Sequence, residues 1–349
     1  MHDYPKTLLE FQQFFPDEMA CARHLEHIRW PEGFECMACR LPGEPWRLLS
    51  RPRVLECSHC GYQTSLTAGT IMHGSRQPLH VWFWAAYLVT TQTPGMRALQ
   101  FQKQLGLGRD ETAFQMLHKL RVAMVRPERD GIGGEWPVEL DETWVGGATQ
   151  GEGRGRHHKT LVVGAVEVRP RAKAPGPDPN LPTGQAKTAH RGGHGRSIIA
   201  GRLRLQVVSG RSQKELEAFA LAAVAPNSVV RTDGWIGDDN LTKLGYRHDP
   251  LSIQGDQEKT EAHLPMIHIV FGNLDAWLLG SHHGVSPKHL QAYLNEFVFR
   301  FNRRFWPMVA FDSVLNIATR LEAPTYRELY EGKRAHPIPA KPGQPVPTG

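Results

Sequence analysis

Two Cys-x-x-Cys pairs constrain this chain more than any other feature: "CMAC" supplies Cys36 and Cys39, and "CSHC" supplies Cys57 and Cys60. Each pair sets two thiolates on one tight turn, and two such turns furnish the tetrahedral sulfur set that Zn²⁺ prefers. Seventeen residues separate Cys39 from Cys57, and Gly61 follows the second pair, which suits a tight turn. Two disulfides are the competing arrangement. The N-terminus "MHDYPKTLLEF" lacks the basic-then-apolar order of a secretory signal, so a cytoplasmic location, where disulfides are rare, is expected. A structural Zn²⁺ is therefore expected. Few apolar residues lie between the knuckles, so the metal is expected to stand in for a core. His59 reads as a neighbour of this site, and Cys21, at helical spacing in "DEMACARHLEHI", as a small buried hydrophobe.

The 349 residues, 40% hydrophobic and 22% charged, suit a globular protein of two or three domains. The longest apolar run, "VWFWAAYLV", is too short to span a bilayer and reads as a buried helix segment, so no membrane partner is expected. A net charge of +6 is compatible with a nucleic-acid partner without establishing one. Basic and apolar residues interleave in "MLHKLRVAMVRPER" and "RFNRRFW"; each stretch alone reads equally as a solvated helix face. An N-terminal helical segment (1–30), starting a helix at Pro16-Asp17-Glu18, precedes the zinc ribbon (31–70). A helical region (75–130) follows, in which "GMRALQFQKQLGLGRDETAFQMLHKLRVAM" reads as helix, turn at Gly106, helix. Asp110 is positioned to cap the second helix, and Phe114, Leu117, Leu120 and Met124 form its apolar stripe. A helix-turn-helix and an ordinary helical hairpin both fit.

After Pro137 the period becomes that of strands. "VELDETWV", "KTLVVGAVEVR" and "GRLRLQVV" form an expected antiparallel meander, with a glycine-rich loop after the first and an exposed insertion at about 170–197. Leu203, Leu205 and Val207 face one way and Arg202, Arg204 and Gln206 the other. Ser212 and Glu215 make a capping box for a helix with Leu216 and Phe219 inward, and "SVVRTDGW" is a strand ending at Asp233. A fourth strand laid beside the first is the ribonuclease-H-like α/β order. It would bring Asp141 and Asp233, each at a strand end, face to face. Taken singly, each is as well explained as a turn residue. Two close carboxylates repel unless a cation lies between them, and Mg²⁺ takes oxygen ligands and supports phosphoryl displacement. Glu139 shares Asp141's face and Glu142 points to the other side; neither is assigned a role. In "PMIHIVFGNLDAWLLG", Ile267, Val270, Phe271, Leu274 and Leu278 recur at helical spacing, with Asn273 and Trp277 on one flank. Asp275 lies about 200° from Asn273 on such a helix, so the two cannot enter one site. This catalytic domain is expected over 135–305, followed by a C-terminal helical segment (306–333) and a disordered Pro-rich tail (334–349).

The chain resembles the zinc-ribbon DDE transposases of bacterial insertion sequences, the ISXO-like group. The motifs that carry the resemblance are "CMAC…CSHC", "VELDETWVGG", "VVRTDGW", "NLDAWLLGSHHGVSPKHLQAYLNEFVFRFNRRFWP" and "EAPTYRELY", covering about residues 12 to 330. The resemblance implies Asp141, Asp233 and Asn273 as catalytic ligands of two Mg²⁺ or Mn²⁺ ions. The nearest subgroup reads Asn-Leu-Lys at the third position; here Asp275 replaces the lysine, exchanging a positive charge near the scissile phosphate for a negative one. The amide oxygen of Asn273 carries no charge, so the second ion is expected to bind more weakly. The implied function is strand cleavage and transfer at an element's terminal inverted repeats by a nucleoid-associated DNA transposase. Its partners would be double-stranded DNA, both terminal repeats and target, and a second copy of the chain, as a homodimer or higher. The zinc ribbon and helical region would bind the repeats. Lys119, Arg121, Arg300, Arg303 and Arg304 are the expected DNA contacts, the last three in a helix opened by Ser286 and Pro287. Leu290, Leu294, Phe297 and Phe301 read as that helix's core stripe, and His282 and His283 as loop residues. The alternatives are a domesticated or inactive transposase-derived DNA-binding protein and a ribonuclease-H-type nuclease.

Overall fold

The computed structural model describes residues 5–92, 94–146, 159–171, 197–234, 240–251 and 263–333. The body of the expected insertion and the Pro-rich tail lie outside the described residues. The chain divides into two compact units, Met1–Arg129 with Asp275–Gly349, and Asp130–Leu274. The helices after Asp275, which the sequence suggested as the end of a domain reaching 305, thus belong to the first unit. The reason is apolar: Phe299, Phe311 and Val314 share one buried cluster with Phe11, Phe83 and Leu117.

The first unit is built of helices around that cluster. Asp17 opens the helix Glu18–Arg29 by accepting the Ala20 N–H at 2.8 Å, as its side-chain chemistry predicts. The apolar run falls in the helix Leu79–Thr91, where Trp82 and Phe83 are buried and Phe83 meets the ring of Phe15 at 4.9 Å. No helix among the described residues is long and apolar enough to cross a membrane. Helices Ala98–Gln104 and Asp110–Ala123 flank the turn at Gly106. Arg109, not Asp110, occupies the cap position, and Asp110 lies in the first turn. Leu117, Leu120 and Met124 are buried, but so are His118 and Arg121.

Arg121 corrects an expectation. Its Nε donates to Glu296 at 2.8 Å, the two side chains are 2% and 1% exposed, and the guanidinium lies 3.8 Å over the Tyr293 ring. Arg121 is therefore not offered to DNA. Lys119 likewise donates inward, to the His73 carbonyl at 3.3 Å. The counter-charge that turns this helix's basic side inward sits 175 residues away in the chain.

The ribbon has three antiparallel strands, β1 (Trp46–Arg47), β2 (Val54–Glu56) and β3 (Gln63–Ser65). The four cysteine sulfurs lie within 4.8 Å of one another, with Cys36 to Cys60 at 3.6 Å and Cys39 to Cys57 at 3.7 Å. A tetrahedral Zn–S bond of about 2.3 Å implies S···S separations of about 3.8 Å, so the set fits the ion. Burial acts to raise the Cys57 thiol, yet the N–H groups of Cys60 and His59 and the neighbouring thiols bring it down to about 6, towards the thiolate a metal needs. The ribbon also has a core: Phe34, Leu55 and Leu66 are buried in the same cluster as Phe83. The metal adds to an apolar core here and does not replace one.

The second unit holds a five-stranded sheet in the order β6-β5-β4-β7-β8. β4 (Val138–Val145), β5 (Thr160–Pro170) and β6 (Ile198–Val208) form the antiparallel meander. β7 (Val229–Thr232) lies parallel beside β4, and β8 (Arg247–Pro250) parallel beside β7. The helix Gln213–Ala223 buries Leu216 and Phe219 in a cluster with Val138, Leu140 and Val163. Its expected capping box does not form: Ser212 is the cap residue but its hydroxyl accepts no helix N–H and instead donates to Glu215 at 3.4 Å, while Glu215 reaches back to the Ser209 N–H at 3.0 Å.

Two outcomes follow. Purified protein should carry about one zinc per chain, and Cys57→Ser should lose it and lower the melting temperature; metal-free wild type would contradict the ribbon assignment. Arg121→Met should destabilise the fold by about 3 kcal/mol in chemical denaturation, because among the described residues Glu296 then keeps only Arg300, at 3.5 Å, as an ion-pair partner.

Candidate metal centre

Asp141 sits midway along β4, opposite Gly164 on β5. It was expected at a strand's end, but Glu142–Val145 continue to pair with β5. Its Oδ1 accepts the Glu142 N–H at 2.8 Å, and its Oδ2 lies 3.6 Å from His268 Nε2. On the parallel pair β4–β7, Val138 stands opposite Val230 and Glu139 opposite Arg231. Both pairs are 92 residues apart, as are Asp141 and Asp233. Asp233 follows the last residue of β7 by one position, so the 92-residue offset of the paired residues is also that of the two aspartates. The Thr232 hydroxyl accepts the Gly234 N–H at 3.2 Å and meets His248 Nε2 at 2.9 Å, which fixes the chain on either side of Asp233.

The helix Pro265–Trp277 lies against this face of the sheet. Glu139, two residues before Asp141 and on the same face, is fully buried. Its Oε2 accepts the N–H groups of Met266 at 2.7 Å and Ile267 at 2.8 Å, the free donors of the helix's first turn. Gly164 permits close approach: a Cβ there would stand 2.8 Å from Phe271 Cε1 and 2.9 Å from Ile267 Cδ1. Ile267, Val270, Phe271 and Leu274 are buried, as their spacing predicts.

The helix presents His268 to Asp141. Asn273 is exposed and, five residues on, lies about 140° further round the helix. Asp275 is exposed as well. On the other face, burial raises the Glu142 carboxyl above its ordinary range, Arg211 at 2.9 Å opposes that rise, and the charge of Asp233 adds to it. Glu142 thus feels Asp233, although strand parity turns it away from Asp141. Among the described residues, the four cysteines form the one group of three or more Cys, His, Asp or Glu close enough to hold a metal. Residues 147–158, 235–239 and 252–262 lie outside the described residues.

Glu139 and His268 are what the residue pattern did not disclose. For Glu139 the signal was present, a charged residue on the buried face of an otherwise apolar strand. Its partners lie 127 and 128 residues downstream. For His268 the signal was its place beside the apolar stripe of Ile267 and Phe271.

In the first unit, Arg300 is drawn inward: it is 12% exposed, pairs with Glu296 and donates to the Gln92 carbonyl. Arg303 lies 4.0 Å over the Phe299 ring and Arg304 lies 4.1 Å over Phe301. Leu290, Leu294 and Phe297 are buried as expected, while Phe301 is half-buried. His282 is no loop filler: it ends a π-helical turn, Leu278–His282, with its ring against Trp277 at 4.6 Å, and burial brings it down to about 4.

Residues 132–302 match the family described as the ISXO2-like transposase domain, and residues 16–63 match the transposase zinc-ribbon domain. The chain is also similar to an uncharacterized protein in transposable element ISH50 of Halobacterium salinarum, at 24% identity over 299 residues, which cover 82% of this chain and 91% of that one. No solved structure matches it. The first match contains Asp141 and Asp233, and the second contains all four clustered cysteines. Residues 132–302 thus carry an ISXO2-like transposase domain, preceded at residues 16–63 by a transposase zinc ribbon.

Proposed function

We propose that this protein is the DNA transposase of an insertion sequence, cutting and joining strands at the element's terminal inverted repeats by metal-dependent phosphoryl transfer. The observation that carries the reading is the parallel pairing of β4 with β7 at an offset of 92 residues, the offset that separates Asp141 from Asp233, beside a helix whose start is held by Glu139. Three antiparallel strands followed by two parallel ones, with β4 in the centre, support a ribonuclease-H-like core. The two carboxylates offer hard oxygen ligands and two negative charges, which suits Mg²⁺ or Mn²⁺. Such ions, when bound, supply Lewis-acid activation of a water or a DNA 3′-hydroxyl and stabilise the leaving oxygen.

The chain's own groups then divide the work. Asp141 and Asp233 orient the site through their fixed strands, and His268 steadies Asp141 from the helix. Asn273, on a flank of the helix different from that of His268, is the other candidate for a third ligand, with a neutral amide oxygen. The zinc ribbon and helical region hold the terminal repeats, and Arg303 and Arg304 contact phosphate. Two element ends must be held together, so the acting form is a homodimer or larger, at the nucleoid. One observation favours a second reading, a transposase-derived DNA-binding protein without activity: Asp275 places an exposed negative charge beside the third-ligand position.

The test is Mg²⁺-dependent cleavage of DNA carrying the element's ends. Asp141→Asn and Asp233→Asn should each fall below about one-hundredth of the wild-type rate with the fold intact. Undiminished cleavage in either variant would overturn the site. Comparing Asn273→Ala with His268→Ala decides which helix residue serves the metal. Specific binding without nicking, in Mg²⁺ or Mn²⁺, would establish the second reading.

A further inference from the structure

Beyond phosphate contact by Arg303 and Arg304, a cleft in the first unit is left unassigned by this function. Trp277, Phe297 and Phe301 form its aromatic wall, and Arg300, Arg303 and Arg304 line it as cations. The rings of Phe297 and Phe301 stack at 6.0 Å, and Trp277 lies 5.6 Å from Phe297. Beyond the cleft, Phe305 and Trp306 are 62% and 63% exposed, and Arg304 lies 4.5 Å over the Phe305 ring. Large exposed aromatics beside arginines mark a surface that meets a partner.

Two features narrow the partner's chemistry. The first is charge. Arg300 is engaged by Glu296, but Arg303 has no carboxylate partner among the described residues. Burial, and then the charge of Arg126, bring the Arg303 guanidinium down to about 10. Cations in that state are stabilised by an anion. The second is a buried donor. Trp277 is 8% exposed, and its Nε1–H is buried without an acceptor among the described residues. Gly95 lies beside it at φ +77°, where a Cβ would stand 2.6 Å from Nε1 and 2.9 Å from Arg300 Nη1. Only glycine fits at that position. A donor so placed is costly unless an oxygen or nitrogen arrives to accept from it.

A paired duplex answers only the charge, because its base faces are already stacked. An unpaired nucleotide brings a flat face, a phosphate and exposed acceptors together. We infer that this cleft receives one unpaired nucleotide of a DNA strand, its base against Phe301 and Trp277, its phosphates on Arg303 and Arg304, and an oxygen accepting from Trp277 Nε1–H. The inference rests on the transposase reading in naming DNA as the strand.

The experiment uses the full chain and two duplexes of one sequence, identical except that one carries a single unpaired 2-aminopurine. Affinity is read by titration and insertion of the base by its fluorescence. Wild type should bind the unpaired duplex about tenfold more tightly. Phe301→Ala and Arg303→Gln should each abolish that preference, with circular dichroism melts confirming the fold. Trp277→Phe, which keeps a ring and removes the N–H, should reduce the preference. Equal affinity for the two duplexes, with Mg²⁺-dependent cleavage retained, would overturn this inference and leave the transposase reading standing. Binding to neither duplex would overturn both. Loss of self-association in Phe301→Ala, by light scattering and without change in duplex preference, would make the cleft an interface between copies and overturn the inference.

Discussion

A buried carboxylate sets the geometry of the second unit. Glu139 is withdrawn from water on β4, a placement that is costly for a charge unless strong donors meet it. The donors are the Met266 and Ile267 N–H groups at the start of the helix Pro265–Trp277. One interaction therefore offsets the burial of the carboxylate, satisfies two orphan donors and fixes where the helix begins on the sheet. Asp141 lies two residues further along the same face, so whatever positions Glu139 under the helix also sets Asp141 beneath His268. Gly164 contributes by omission: without a side chain opposite Asp141, Ile267 and Phe271 can settle onto β5. The parallel pairing of β4 with β7 has the same 92-residue offset that separates Asp141 from Asp233.

Charge is divided by what each cation finds nearby. Arg121 and Arg300 share Glu296 in the interior of the first unit, and Lys119 is occupied by a carbonyl. Arg303 and Arg304 rest on aromatic rings at the edge of a cleft. A surplus of +6 thus says little about which basic residues meet an anionic partner. The ribbon makes a parallel point about its metal. Cys36 and Cys57 belong to the same apolar cluster as Leu55 and Phe83, so the thiols and the core act together.

Much of this was legible before any coordinates. Period-2 patterning disclosed the three meander strands, and the cysteine spacing disclosed a set whose sulfurs the structure brings within 4.8 Å. Helical spacing identified the buried stripe of Ile267, Val270, Phe271 and Leu274. What stayed hidden depends on pairing between distant segments. Arg121 reads as a surface cation until Glu296 is seen against it, and Glu139 reads as incidental until the helix start arrives above it. Local chemistry also misled: Ser212 and Glu215 have capping-box spacing, but Ser209 offers Glu215 a competing donor. Asn273 and His268 sit on one helix, and only tertiary contact shows which of them faces Asp141.

The dependence of the site on Glu139 is tested most directly by amide hydrogen exchange at Met266 and Ile267 in Glu139→Ala. Loss of the acceptor should destabilise the fold by about 1–3 kcal/mol, speed exchange at these two amides and reduce DNA cleavage although Asp141 and Asp233 are untouched. Unchanged protection at Met266 and Ile267, with cleavage at the wild-type rate, would show that the helix is held over the sheet by something other than this carboxylate.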